Sequence, residues 1–312
     1  MSWFSQILEN WISYPYLEEY LTSLVHPWWI LKLLILLYSP LICSLSFFWA
    51  LSFLLQIYRK MNNQQESDDS KIWEKPRKLI AQVLHIAGKI WYGYEVIGME
   101  HLPKGPGVII FYHSVTTTDY NFLVAKILKE QQRLCYSVID HALYRIPGWK
   151  TFFDAIRLKD FSKDECVEIL KKGNLLGLAP GGGREANFSN DYNIMWGKRT
   201  GFARIALEAK VPIIPIFTQN CGEIFRNIGK TRLTRWLYEK TRLLYLPMYG
   251  GFPVKLRTYI GEPIPYDPNI TAAELAEKTK TAIENLRDKY QKRPGSILRA
   301  ISERFDKHYK TN

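Results

Sequence analysis

The run from Trp28 to Ile57 constrains this chain more than any other feature, because it is almost wholly apolar and carries one charge, Lys32. A single helix over that run is about 45 Å long at 1.5 Å per residue, against a bilayer hydrocarbon thickness of roughly 30 Å. It either crosses once with strong tilt, or breaks at Ser39-Pro40 into a re-entrant hairpin whose freed backbone groups need partners. Arg59 and Lys60 follow directly and place the C-terminal side in the cytosol by the positive-inside tendency. Upstream, Trp3, Phe4, Ile7, Leu8, Trp11 and Ile12 alternate with polar groups as an amphipathic interfacial segment would. A signal peptide's basic start and small-residue cleavage site are absent.

These features divide the chain into an interfacial segment at 1–27, an anchor at 28–60, a polar linker at 61–75 and a globular domain at 76–312. Its formal charge of +12 is uneven: the first 58 residues hold Lys32 against Glu9, Glu18 and Glu19, so the remainder carries +14. A basic domain beside an apolar anchor fits an anionic leaflet and acidic ligands such as coenzyme A. No nucleic-acid recognition module or compact Lys/Arg run is present, so no nucleic-acid partner is expected. Cys43, Cys135, Cys166 and Cys221 are too far apart for a C-x-x-C pair, and the six histidines lack ligand spacing. No metal and no cofactor are implied; oligomeric state is not legible.

Short apolar runs at 94–98, 107–112, 134–139, 175–179, 213–217 and 254–260 predict strands. Helical patterns at about 77–92, 120–131, 162–172, 199–209, 230–245 and 271–291 fall around and between them. That alternation predicts an α/β fold with a mostly parallel central sheet flanked by helices.

Two strand-to-loop transitions carry chemistry. In Ile109-Ile110-Phe111-Tyr112-His113-Ser114, continuing to Asp119, His113 falls at a strand end and Asp119 near a helix start. A histidine so placed can take the proton of an attacking hydroxyl if a carboxylate holds its other ring nitrogen. The plainer alternative makes Asp119 a first-turn acid and His113 a core residue. Ser114 is not read as a nucleophile, because no G-x-S-x-G elbow exists. In Pro180-Gly181-Gly182-Gly183-Arg184-Glu185, the glycines let backbone approach a ligand and Arg184 supplies a fixed cationic fork. The loop is neither a Walker A motif nor a dinucleotide fingerprint.

Together with Gly148–Arg157 between them and Val211–Phe217 after them, the two loops resemble the four ordered blocks of the glycerolipid (lysophospholipid) acyltransferase superfamily, over about Trp73 to Tyr266. The resemblance implies a glycerolipid acyltransferase-like fold, with 76–312 as the acyltransferase domain. It also implies an endoplasmic-reticulum membrane location and transfer of a fatty acyl group to a glycerolipid hydroxyl. His113 and Asp119 take the catalytic positions; Arg157, Pro180, Gly181, Gly182, Gly183, Arg184 and Glu185 take the substrate-binding ones.

Two departures stand out. The superfamily separates its histidine and aspartate by four residues, whereas five lie between His113 and Asp119. Its Pro-Glu-Gly-Thr-Arg becomes Pro180-Gly181-Gly182-Gly183-Arg184, which resembles the neutral-lipid branch that includes diacylglycerol acyltransferases. The implied partners are membrane lipids: monoacylglycerol and diacylglycerol as acceptors, acyl-CoA or a phospholipid as donor. Lysophosphatidate acylation, an esterase and a non-catalytic lipid-binding protein are the alternatives. Arg157 and Arg184 either meet a donor phosphate or brace the loop.

Overall fold

The computed structural model describes residues 27–62, 71–144, 147–227, 230–241 and 248–305. The expected interfacial segment up to residue 26, and residues 63–70 of the expected linker, lie outside the described residues. Two compact units divide the chain, Met1–Leu45 and Ser46–Asn312.

Helix α1, Pro27–Met61, begins in the first unit and ends in the second. From Trp28 to Met61 it is long and apolar enough to cross a membrane. It runs through Pro40 as one α-helix. A proline at 40 removes the donor that would reach the Leu36 carbonyl. The Ser39 hydroxyl donates to that same carbonyl at 3.5 Å, so the freed acceptor keeps a local partner.

The second unit is built on a seven-stranded sheet in the order β1-β9-β6-β2-β5-β3-β4. Its strands are β1 Glu95–Ile97, β2 Gly107–Phe111, β3 Cys135–Val138, β4 Leu158–Lys159, β5 Leu175–Leu178, β6 Ile213–Gln219 and β9 Arg257–Ile260. Strands β6, β2, β5, β3 and β4 are mutually parallel, while β9 lies antiparallel to β6. A separate hairpin pairs β7, Phe225–Asn227, with β8, Met248–Gly250.

Helices α2, Glu74–Tyr92, and α3, Thr118–Gln131, pack on each other. Short helices α4, His141–Tyr144, and α5, Lys150–Ala155, come next, followed by α6, Lys163–Lys171. Next are α7, Gly182–Phe188, α8, Gly201–Ala209, α9, Cys221–Ile224, and α10, Arg232–Thr241. The last are α11, Ala272–Tyr290, and α12, Ile297–Ser302.

Strand periodicity separates two cores. Ile109 and Phe111 point toward Tyr120, Leu123 and Ile127 of α3. Val108, Ile110 and Tyr112 point toward Val167 and Leu170 of α6, Ala203 and Ala206 of α8, and Leu275 and Ile283 of α11. Each fully buried Ile or Leu in these layers contributes about 1.5–3 kcal/mol. Local signals start the covering helices: Ser162 with Glu165, and Thr271 with Glu274, form reciprocal capping boxes at α6 and α11.

Register places the two chemical loops side by side. Ile110 of β2 pairs with Leu178 of β5 and with Pro215 of β6. His113 and Gly181 each lie three residues beyond that shared rung, at the C-terminal ends of parallel strands where α/β folds place ligands. Gly177 makes the layer possible, because a Cβ there would stand 1.8 Å from the Tyr120 hydroxyl. That hydroxyl instead lies across the sheet and meets Ser137 Oγ at 2.7 Å.

Candidate active site

His113 sits just past β2, half-buried, with both sides of its geometry fixed by neighbours. Its backbone N–H donates to Glu185 Oε2 at 2.8 Å. Its ring Nδ1 lies 2.7 Å from the Ser114 carbonyl oxygen. A carbonyl only accepts, so Nδ1 carries the proton and Nε2 keeps the lone pair. Burial pulls the imidazole pKa below its ordinary value, opposed by the Ser114 carbonyl and by the charge of Asp140. The ring is thereby held neutral, with an accepting nitrogen, as a general base at neutral pH must be.

Asp119, in the first turn of α3, is buried and accepts the Ser114 hydroxyl at 3.1 Å. Burial raises its pKa, while the Thr218 hydroxyl, Ser114 and the backbone N–H groups of Asp119 and Tyr120 favour its charged form. The direct Asp119–imidazole bond expected from the sequence is replaced by an indirect arrangement. Ser114 holds the ring through its carbonyl and Asp119 through its hydroxyl. Thr117, at a left-handed φ of 47°, turns the chain into α3.

Pro180 and Gly181 are buried, and Gly182 and Gly183 half-buried, at the entrance to α7. Glu185 occupies the space where a Gly181 Cβ would be, 2.3 Å from Glu185 Cδ, so only glycine fits at 181. Glu185 itself is wholly buried. Besides the His113 N–H it accepts the Met195 N–H at Oε1, 2.8 Å away. Burial pushes its pKa up to about 7 against those two donors and the Arg199 charge. Expected among the substrate-binding residues, it serves instead as an internal brace, because both its oxygens are engaged inside the protein.

Arg199, which the sequence reading passed over, donates to the Pro180 and Gly181 carbonyls at 2.7 and 3.0 Å and clamps the loop. It lies in a turn before α8 with no motif around it, so its position alone gave no signal. Arg184 is exposed. Arg157 is 7% exposed, has a φ of 61°, and lies with its guanidinium 5.4 Å from the Tyr136 ring centroid. Beside the His113 loop a cleft of about 260 Å³ is lined by Tyr112, Ser114, Ser189, Glu223, Arg226 and Lys230. Among the described residues no group of three or more His, Cys, Asp or Glu side chains is placed to hold a metal ion.

A mostly parallel sheet with a neutral, oriented histidine and a glycine loop at adjacent strand ends suits acyl transfer to a hydroxyl. The family model described as Acyltransferase matches residues 93–219, which span both loops. A protein of Homo sapiens named "DGAT1/2-independent enzyme synthesizing storage lipids" is 48% identical over 301 residues, covering 96% of this chain and 93% of its own length. The chain belongs to this acyltransferase family. A more distant relative, "Diacylglycerol O-acyltransferase 1" of Schizosaccharomyces pombe, is 24% identical over 174 residues, 47% of this chain and 50% of that protein. The solved 1-acyl-sn-glycerophosphate acyltransferase PlsC of Thermotoga maritima superposes with a TM-score of 0.49 at 16% identity, covering 78% of this chain and 96% of that one.

Proposed function

We propose that this acyltransferase works on glycerolipids, acylating monoacylglycerol and diacylglycerol to diacylglycerol and triacylglycerol at the cytosolic face of the endoplasmic-reticulum membrane. The observation that carries the reading is the His113 imidazole, whose Nδ1 is committed to the Ser114 carbonyl and whose Nε2 is left to accept a proton.

In this reading the acceptor hydroxyl oxygen attacks the acyl carbonyl carbon of acyl-CoA or a phospholipid, and Nε2 of His113 removes the hydroxyl proton. The tetrahedral intermediate collapses, breaking the bond to the donor thiolate or alkoxide, which takes the proton back from Nε2. Gly182 and Gly183 border the developing oxyanion, and Arg184 serves the donor head. Asp119 and Glu185 position the histidine without touching substrate. The names of the human and fission-yeast relatives, which cite storage lipids and diacylglycerol, support neutral acceptors. An apolar helix able to hold the protein at the bilayer supports substrates that reside there.

The test offers labelled diacylglycerol, monoacylglycerol or lysophosphatidate to membranes containing the full chain, each with acyl-CoA or phosphatidylcholine. Triacylglycerol formation supports the reading and identifies the donor. Consumption of lysophosphatidate alone would replace it with lysophospholipid acylation. Fatty acid released without acceptor would mean an esterase, and no reaction from any pair a non-catalytic lipid-binding protein.

A further inference from the structure

Helix α2 contradicts the usual pattern of a globular domain. Its inward side is ordinary: Ile80 and Ala81 are buried. Leu79, Val83, Ile86 and Ile90 repeat at i, i+4, i+7 and i+11, which is one continuous helical face, and they are 63%, 40%, 47% and 68% exposed. Leu298 and Phe305 extend the exposed apolar surface at 81% and 82%. Arg304, the neighbour of Phe305, ties this segment to the end of α2, its Nη2 donating to the Ile90 carbonyl at 2.9 Å. A surface of this kind marks a contact with another apolar phase.

Two observations identify that phase. Lys75, Lys78 and Lys89 are exposed on α2, where the one acid, Glu74, is paired with Lys78. A basic border around an apolar stripe is the chemistry of an interfacial helix on an anionic leaflet. Leu55 and Tyr58 near the end of α1 pack in the same cluster as Trp73, Ile80 and Leu84, so α2 is joined to a helix able to cross a bilayer.

We propose that the Leu79–Ile90 face of α2, with Leu298 and Phe305, rests in the anionic leaflet of the membrane. The leaflet then lies on the side of the sheet covered by α2 and α3, toward which Ile109 and Phe111 point. Asp119 is in the first turn of α3, the helix on which α2 packs, so the docked helix is one layer removed from the His113 loop. The proposal is independent of which acceptor is used.

The full chain is reconstituted into phosphatidylcholine–phosphatidylserine vesicles with a polarity-sensitive nitrobenzoxadiazole probe on one cysteine. In a Cys43→Ser background the probe is placed by Ile86→Cys or Ile90→Cys, and by Glu168→Cys as an exposed site on α6. Probe on the native Cys43, exposed on α1, reports insertion separately. Expected are blue-shifted emission at 86 and 90 quenched by doxyl lipids, weaker quenching without phosphatidylserine, and water-like emission at 168. Water-like emission at 86 and 90 while Cys43 reports insertion overturns the proposal. Blue-shifted emission that doxyl lipids leave unquenched also overturns it, and assigns the stripe to a second copy of the chain.

Discussion

The loops after β2 and β5 leave the sheet from the same rung, Ile110 against Leu178, yet they use their residues in opposite ways. In the β2 loop the backbone supports a side chain: the Ser114 carbonyl selects the His113 tautomer. In the β5 loop a side chain supports the backbone: Glu185 turns inward and takes the N–H groups of His113 and Met195. Each loop has one buried carboxylate, and neither bonds the imidazole directly. Asp119 acts on His113 through the Ser114 hydroxyl, Glu185 through the main chain. Histidine orientation here is thus distributed over both strands, which differs from the single His–Asp pair that the sequence motif suggests.

The comparison breaks most visibly at His113. Replacing it with Ala is expected to lower acyl transfer by about 10²–10⁴-fold, the usual contribution of a positioned base. Label transfer at matched expression checks this, and full activity would move the base elsewhere. Next in size, Glu185→Ala leaves two buried N–H groups without partners, a loss of about 2–4 kcal/mol read by thermal unfolding in detergent. Glu185 also sets a pH slope. Its folded pKa of about 7 exceeds the ordinary 4.5, so its ionisation costs stability as pH rises between those values. Comparing wild type with Glu185→Gln from pH 4.5 to 7 isolates that slope, which the variant should lack.

Asp119→Asn separates the two ideas of how the ring is held. Asn still accepts the Ser114 hydroxyl and leaves the Ser114 carbonyl on Nδ1, so a rate loss on the order of tenfold is expected. A direct catalytic pair would lose about 10⁴-fold on the same change. The smallest effect belongs to Arg199→Ala, which frees the Pro180 and Gly181 carbonyls. Water can take the place of the guanidinium at both carbonyls, so the weakened loop order should cost less than about tenfold and raise KM for the donor more than it lowers kcat.

Much of the sheet was legible because buried parallel strands read as continuous apolar runs, as in Val108–Phe111 and Ile213–Phe217. Strand β4 was missed because two residues carry no periodicity, and the β7–β8 hairpin because its strands are three residues each. The helix expected at 230–245 is described as Arg232–Thr241, with 242–247 outside the described residues. His113 stood out from its place at a strand end. The roles of Ser114, Glu185 and Arg199 did not: Ser114 acts through a tight turn that aims its carbonyl at the His113 ring and its hydroxyl at Asp119, Glu185 meets the His113 N–H only because β2 and β5 pair, and Arg199 folds back on Pro180 from a loop. Nor could hydropathy separate the exposed stripe of α2 from a core face, since Leu79 and Ile80 look alike until one is found outside and the other inside.

The most direct measurement is kcat/KM for acyl transfer to diacylglycerol against pH, for wild type beside His113→Ala. A neutral base with a burial-depressed pKa loses activity as pH falls through that pKa. Wild type should therefore hold a plateau at neutral pH and drop only below 6.5, while the residual rate of the variant shows no such limb. The same acid limb in both proteins would show that some other group titrates, and would contradict His113 as the base.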